Sequence, residues 1–311
     1  MKNLIYSVAY GLPEHFVLAQ EWVNSIRASG CATKIILLTD REIEIKGAEV
    51  IVCLFMTPSQ FWKAAIRNVV ECEKYDKILF MDTDIVCLKN PNVFFELEGI
   101  QIPREEPLTI TKSGLNPVFL TEEEKEKFGN DFSYNAGTIV MPGKWANTFW
   151  TEWETEWKLI DWKGQKDYWP DTKIYKGQMY DQGILQAMIC RELFSRIPVP
   201  MDNSLVGFPA WTEPKDHVVL HLCGLKHNLE NKNFIRDIMI ALRDKTKVNE
   251  ICKGLREKAD PLKFIISQLN LAMDVITSLR EEIRLLKERN ETRFRELEER
   301  IKEPDYARQS T

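Results

Sequence analysis

No apolar run in the 311-residue chain approaches the ~18 residues of a membrane-spanning helix, so no span is expected. The opening Met1-Lys2-Asn3-Leu4-Ile5-Tyr6-Ser7 lacks the apolar stretch of a signal peptide. None of the seven cysteines (Cys31, Cys53, Cys72, Cys87, Cys190, Cys223, Cys252) forms a C-x-x-C pair, which removes the common zinc and redox motifs. Most sit in apolar runs such as Val52-Cys53-Leu54 and Val86-Cys87-Leu88, where thiols act as small hydrophobes. An odd set of that kind predicts a reduced, cytoplasmic protein. Basic charge is not in excess either: 42 Lys and Arg against 47 Asp and Glu give a net charge of −5. A protein that grips DNA or RNA backbones usually carries the opposite sign, although net charge does not exclude a metal–diphosphate in one cleft. With 14 glycines, 14 prolines and 44% hydrophobic residues, neither a collagen-like repeat nor a disordered chain fits.

What is present is an alternation of short apolar runs and helix-like segments over the first 90 residues. Residues 4–9, 34–39, 49–54 and 77–81 read as buried strands, and 13–28 and 59–74 as helices, with Gly30 a stop signal for the first. Continuous apolar strands alternating with helices predict a parallel sheet covered on both faces. Ligands of such sheets bind outside the carboxyl ends of the strands, which directs attention to Tyr10-Gly11, Asp40 and Asp82-Thr83-Asp84. Residues 100–215 are less regular and more aromatic, with six tryptophans between Trp145 and Trp169.

The strongest local signal is Lys77-Ile-Leu-Phe-Met-Asp82-Thr83-Asp84-Ile-Val86. If the chain stays extended, Asp82 and Asp84 project from one face and can converge on one hard cation. Without a cation or strong donors, two like charges so close are costly. The bland alternative is a strand-end turn with two solvated aspartates. The same residues fit the D-x-D-x-[TV] nucleophile motif of haloacid-dehalogenase-like phosphatases. Here, however, about 80 residues of α/β pattern precede the motif and no paired-acid G-D-x-x-x-D follows it.

Five segments in order give the sequence a specific resemblance. Residues 5–27, ending Ser25-Ile26-Arg27, fit a nucleotide-binding opening. Tyr75–Val86, followed by Asn90-Pro-Asn-Val-Phe-Phe-Glu-Leu97, is similar to the metal-binding region of glycogenin-like glycosyltransferases, family 8 of the GT-A fold. Phe132-Ser-Tyr-Asn135-Ala136-Gly137 resembles that family's F-N-[SA]-G segment, Tyr180-Asp181-Gln182-Gly183-Ile-Leu185 its D-Q-x-x-L, and His217-Val-Val-Leu-His221-Leu-Cys-Gly224-Leu-Lys226 its H-F-x-G-x-x-K.

The resemblance implies an α/β GT-A domain, Rossmann-like with a mostly parallel central sheet, that transfers sugar from a UDP-sugar with retention. It assigns Asp82, Asp84 and His221 as metal ligands, with His217 the runner-up. Two carboxylates and an imidazole suit Mn²⁺, with Mg²⁺ the alternative. A divalent metal offsets the charge that grows on the departing diphosphate. Thr83 lies within the motif. Lys226 is the implied diphosphate contact, although it stands five residues after His221 where the family has six, His227 takes the expected place and the usual Pro-Trp is absent. Lys63 or Arg67 supplies a second cation, and spacing does not choose between them. Ala9, Tyr10 and Asp40 are candidate base and ribose contacts. Asp181 and Gln182 fall beside the donor sugar, without either being assigned as nucleophile, and Asn135, Ala136 and Gly137 line the same pocket.

Trp150, Trp153 and Trp157 stand at helical spacing and are expected in the core, whereas Trp162, Tyr168 and Trp169 are open to a role as an acceptor platform. From Leu262, apolar residues recur through Ile265, Leu269, Ala272, Ile276, Leu279, Ile283 and Leu286 to Asn290. Isoleucines alternating with leucines, with Asn290 in the isoleucine series, predict a parallel coiled-coil dimer, with a trimer second. Asn290-Glu-Thr292 matches a glycosylation sequon but means nothing without a signal peptide. The expected layout is a catalytic domain over residues 1–255, a coiled coil over 256–303 and a disordered tail over 304–311. The function expected is a metal-dependent glycosyltransferase acting on an unknown glycan, protein or lipid acceptor. A catalytically inactive sugar-nucleotide-binding domain on a coiled-coil scaffold is second, and a metal-dependent phosphatase third.

Overall fold

The structure, a computed structural model, describes residues 1–53, 63–109, 120–159, 180–191, 199–209, 216–223, 232–244 and 248–258. The N-terminal apolar runs form β1 (Asn3–Ala9), β2 (Lys34–Thr39), β3 (Glu49–Val52) and β4 (Lys77–Met81). Helix α1 (Pro13–Ala28) has the end signals its sequence predicts: Pro13 at its start, Glu14 in the first turn and Arg27 in the last. Gly30 follows at φ +82°, a left-handed conformation that lets the chain reverse toward β2.

After β4 come β5 (Ile85–Cys87), β6 (Gln101–Thr109), α3 (Glu122–Phe128), β7 (Phe132–Tyr134), β8 (Thr138–Pro142), α4 (Gly143–Leu159) and α5 (Tyr180–Cys190). Then follow β9 (Val199–Met201), β10 (Val206–Gly207), β11 (Val219–His221), α6 (Lys232–Arg243) and α7 (Val248–Lys258), while a short α2 (Ile66–Val69) precedes β4. The chain adopts the expected mixed α/β class with a largely parallel central sheet. Strand order is β3-β2-β1-β4-β8-β6-β7, with β9 also against β6, and the segment β3-β2-β1-β4 is parallel throughout. Antiparallel joins enter at β4–β8, β8–β6 and β6–β7. A second, three-stranded sheet has the order β10-β11-β5.

Period-two alternation sends the large sheet's side chains into two cores. On one face Leu4, Tyr6, Phe80, Ile139 and Met141 pack with Phe149, Trp150 and Trp153 of α4 and Ile184, Leu185 and Met188 of α5. On the other, Ile5, Leu79, Met81 and Val140 pack with Trp22, Val23 and Ile26 of α1 and Ile238, Met239 and Leu242 of α6. Trp150 and Trp153 are core residues as expected. Trp157's side chain and residues Trp162, Tyr168 and Trp169 lie outside the described residues.

Two expectations need correction. The helix expected over 59–74 is, in its described part, broken: α2 ends at Val69, Val70 is extended, and a separate 3-10 turn covers Cys72–Lys74. The adjacent β-branched Val69 and Val70 lower helix propensity there, and the start of α4 packs closely against the segment that follows the break. The N–H of Gly143 donates to the Asp76 carbonyl at 3.2 Å, and a Cβ on Gly143 would lie 2.1 Å from the Tyr75 carbonyl oxygen. The stretch that reads as irregular contains β6, a nine-residue strand whose Pro103, Arg104 and Glu105 disguise it.

Met1–Lys258 forms one compact unit. The heptads from Leu262 and the tail lie outside the described residues. All seven cysteines are free thiols, six of them buried. No helix among the described residues is long and apolar enough to cross a membrane.

Trp150 is fully buried, with ring contacts to Tyr6, Phe80, Phe149 and Trp153 at 4.8–6.5 Å between centroids. Trp150→Ala is expected to cost about 3–5 kcal/mol of unfolding free energy, read by urea titration with far-UV circular dichroism. A loss under about 1 kcal/mol would mean that this face is not the packed core described.

Candidate functional site

Asp82-Thr83-Asp84 is where the chain leaves one sheet for the other. Strand β4 ends at Met81 in the large sheet, β5 begins at Ile85 in the small one, and the Ile85 N–H closes the turn on the Asp82 carbonyl at 3.2 Å. The carboxylates therefore meet because the backbone turns, which corrects the expectation that they project from one face of an extended strand. Asp84 is 1% exposed, whereas the Asp82 side chain is 28% exposed, so only Asp82 and the turn's Thr83 are open to solvent.

Antiparallel pairing brings the other components to this turn. Strand β11 runs against β5 with His221 opposite Ile85, and the Leu222 N–H donates to the Asp84 carbonyl at 3.0 Å. His221 Nε2 consequently stands 3.4 Å from Asp84 Oδ1 and 3.8 Å from Asp82 Oδ2. Ligand atoms of Asp82, Asp84 and His221 all lie within 4.8 Å of one another. His217 is buried too, but it precedes β11 and fits against Gly207, where a Cβ would lie 2.8 Å from its Nδ1. It is not part of the cluster.

Of the two candidate cations, the structure brings Lys63 to the acidic pair and gives Arg67 to α4. Lys63 Nζ lies 3.3 Å from Asp82 Oδ1, donates to the Ala136 carbonyl at 3.0 Å and sits 4.6 Å from the centre of the Phe80 ring. The Tyr6 hydroxyl, donating to the Lys63 carbonyl at 3.0 Å, fixes its backbone. Arg67 instead bonds the Thr151 hydroxyl and pairs with Glu154.

Strand β8 runs antiparallel to β4, with Met81 opposite Thr138, so the turn at its start lies beside Asp82. The Asp82 N–H donates to the Gly137 carbonyl at 2.8 Å. Gly137 is also where the His221 ring fits: a Cβ there would lie 2.1 Å from His221 Cε1 and 2.7 Å from Nδ1. Asn135 Oδ1 accepts from the Gly137 N–H at 2.8 Å, which holds the turn closed.

One polar residue here escapes sequence reasoning. Glu105 of β6, 5% exposed, accepts from Asn135 Nδ2 at 2.5 Å, from Gln182 Nε2 at 2.6 Å and from the Ser133 hydroxyl at 3.5 Å. Burial pushes its carboxyl above the ordinary value, and the donors from Asn135 and Gln182 pull it back. Its only signal is an acidic residue within a buried strand, and the neighbouring Arg104 and Glu106 make that stretch read as solvated. Gln182 lies in the first turn of α5 after Asp181, whose side chain is outside the described residues, as is Lys226.

Ala9 ends β1 and Tyr10 follows it, so both lie at the same carboxyl edge as Asp82. Asp40, beyond β2, accepts from the Gly11 N–H at 2.9 Å and pairs with Arg41, also at 2.9 Å. The Arg41 bond, then the Gly11 N–H, hold its carboxyl below the usual range against the opposing effect of partial burial. Gly11, at φ +79°, makes this linkage of the β1 and β2 loops possible.

Two carboxylates facing one lysine leave the cluster acidic, and bringing Asp84 out of water makes that charge expensive. Carboxylate oxygens and one imidazole nitrogen fit a divalent first-row cation. Asp82, Asp84 and His221 would hold it, with Lys63 alongside.

No protein-family model matches the chain, and no curated protein matches it. Among solved structures it is similar to the glycosyltransferase GlyE of Streptococcus pneumoniae TIGR4 at 14% identity and TM-score 0.45, over 78% of this chain. It spans only 64% of the length of GlyE. The galactosyltransferase LgtC, solved with donor and acceptor sugar analogues, is 14% identical at TM-score 0.45, over 79% of this chain and 96% of that one. A glycosyltransferase involved in glycosylation of the major capsid of PBCV-1 is 13% identical at TM-score 0.44, over 77% and 99%.

Gly137→Ala forces the His221 ring to move. It is expected to weaken Mn²⁺ binding about 10–100-fold by calorimetry. Unchanged affinity would show that His221 is not a ligand.

Proposed function

We propose that the chain is a metal-dependent glycosyltransferase of the GT-A kind, moving sugar from a nucleotide-sugar to an acceptor. The observation that carries this reading is the cluster of Asp82, Asp84 and His221 at the carboxyl edge of the parallel strands, with the buried cation Lys63 against it. The motif resemblance supports a UDP-sugar as donor, Mn²⁺ (or Mg²⁺) as the metal and retention at the anomeric carbon. Acceptors within this reading are a glycan, a protein or a lipid.

Transfer leaves a nucleoside diphosphate, so the site has to favour negative charge as it develops on the departing oxygen. A divalent cation, when bound by Asp82, Asp84 and His221, supplies Lewis-acid stabilisation of that oxygen. Lys63 adds a positive charge that needs no reorganisation, because the Ala136 carbonyl, the Phe80 ring and Asp82 already fix its position. Asn135 and Gln182 hold neutral amides in a fixed orientation for the donor sugar; the motif resemblance adds Asp181 to the sugar site and Lys226 to the diphosphate. Ala9, Tyr10 and Asp40 take the nucleoside end, where the Asp40–Gly11 bond keeps two loops together.

The test is a panel of UDP- and GDP-sugars with the purified chain, with and without Mn²⁺, scored for nucleoside diphosphate release. Release from one donor is expected, falling to background with EDTA and in Asp84→Ala. Tight Mn²⁺–UDP binding without turnover on any acceptor tried would favour an inactive binding domain. Absence of binding would overturn the site.

We also propose that the heptads from Leu262 to Asn290 join two chains in parallel. Light scattering is expected to give twice the 36.3 kDa chain mass, and Leu279→Asp with Ile283→Asp to return it to one chain. A wild-type mass of one chain would refute the dimer.

A further inference from the structure

Three elements distant in sequence meet at Glu105: β6 carries it, the end of β7 brings Ser133 and Asn135, and the first turn of α5 brings Gln182. The hydrogen bonds leave little freedom in which way the amides face. Asn135 Oδ1 is committed to the Gly137 N–H at 2.8 Å, so its Nδ2 must face Glu105 Oε1, and it also reaches Gln182 Oε1 at 3.4 Å. Turning the amide over would set an N–H against an N–H at Gly137 and an oxygen against an oxygen at Glu105. Gln182 Nε2 is fixed in the same way, donating to Glu105 Oε2 at 2.6 Å and to the Ser133 hydroxyl at 3.2 Å. Each oxygen of Glu105 thus receives an amide N–H, which an acceptor-only carboxylate can provide and an amide of the same shape cannot.

We propose that Glu105 is a positioning residue: its buried carboxylate fixes the amide orientation of the buried Asn135 and of the half-buried Gln182, and thereby which atom of Gln182 the site presents to the donor. This rests on the glycosyl-transfer reading of the same site. Glu105 acts through these neighbours and is given no contact with the sugar.

Two substitutions separate polarity from shape. Glu105→Gln preserves size and places an N–H against one of two N–H donors. Glu105→Asp preserves the acceptor and shortens the arm. The first readout needs no turnover: side-chain amide ¹⁵N–¹H signals of Asn135 and Gln182 in the full-length chain, assigned by their loss in Asn135→Ala and Gln182→Ala. Both NH₂ groups are expected to exchange slowly in wild type and in Glu105→Asp, with protection of at least one lost in Glu105→Gln. The second readout is donor turnover: kcat is expected to fall about 10–100-fold in Glu105→Gln and less in Glu105→Asp, with Mn²⁺ affinity within about twofold of wild type in both. The reverse order, with Gln near wild type and Asp impaired, would mean that Glu105 only fills space and would overturn the proposal. Loss of Mn²⁺ binding in both variants would overturn it as well, by placing the effect at the metal ligands. If wild type turns over no donor, the glycosyl-transfer reading fails, while the amide signals still decide whether Glu105 orients its neighbours.

Discussion

Two carboxylates in one three-residue turn, one of them removed from water, repel each other by an amount that the surrounding chain has to offset. Much of the architecture around Asp82 and Asp84 answers that constraint. The turn is held by backbone N–H groups: the Asp82 N–H on Gly137, the Ile85 N–H on Asp82, and the Leu222 N–H on Asp84. A lysine, itself nearly buried, is set against Asp82, and an imidazole against both acids. Small residues are required wherever these groups crowd, as the Gly137–His221 contact illustrates.

The antiparallel joins explain why the site is where it is. In a purely parallel sheet, every strand would deliver its carboxyl end to the ligand edge. Here β8 runs the other way and delivers the turn that precedes it, so Asn135, Ala136 and Gly137 reach Asp82 from the opposite chain direction. Strand β11, antiparallel to β5 in the small sheet, makes the complementary delivery, placing its last residue beside the start of β5. The site lies on a seam between two sheets, with contributions from both.

Much of the N-terminal half was legible in the sequence because β1, β2 and β4 are largely buried and read as unbroken apolar runs. The run at 49–54, expected to be buried as well, is instead the edge strand β3, which ends at the 42% exposed Val52. The bounds of α1 followed from Pro13 and Gly30, and the Asp82–Asp84 pair announced itself at the end of such a run. The mode of convergence was not legible, since a two-residue spacing looks the same in a strand and in a turn. The choice between Lys63 and Arg67 depended on partners distant in the chain, Ala136 and Asp82 for the one and Thr151 and Glu154 for the other. Glu105 was hidden because a charged residue flanked by charges carries no sign of burial. Its environment is supplied by α5 and β7, far away in the chain.

His221 is encoded long after Asp84, and the strand that carries it pairs with β5 across most of the intervening chain. During synthesis the two aspartates therefore emerge well before the imidazole that completes their cluster. The early chain can lay down its parallel strands from local contacts, but the cluster must wait for a closure between distant segments, an entropically slow event. A cation that binds only the completed cluster would act as a late clasp between the sheets, favouring the finished fold over every partial one.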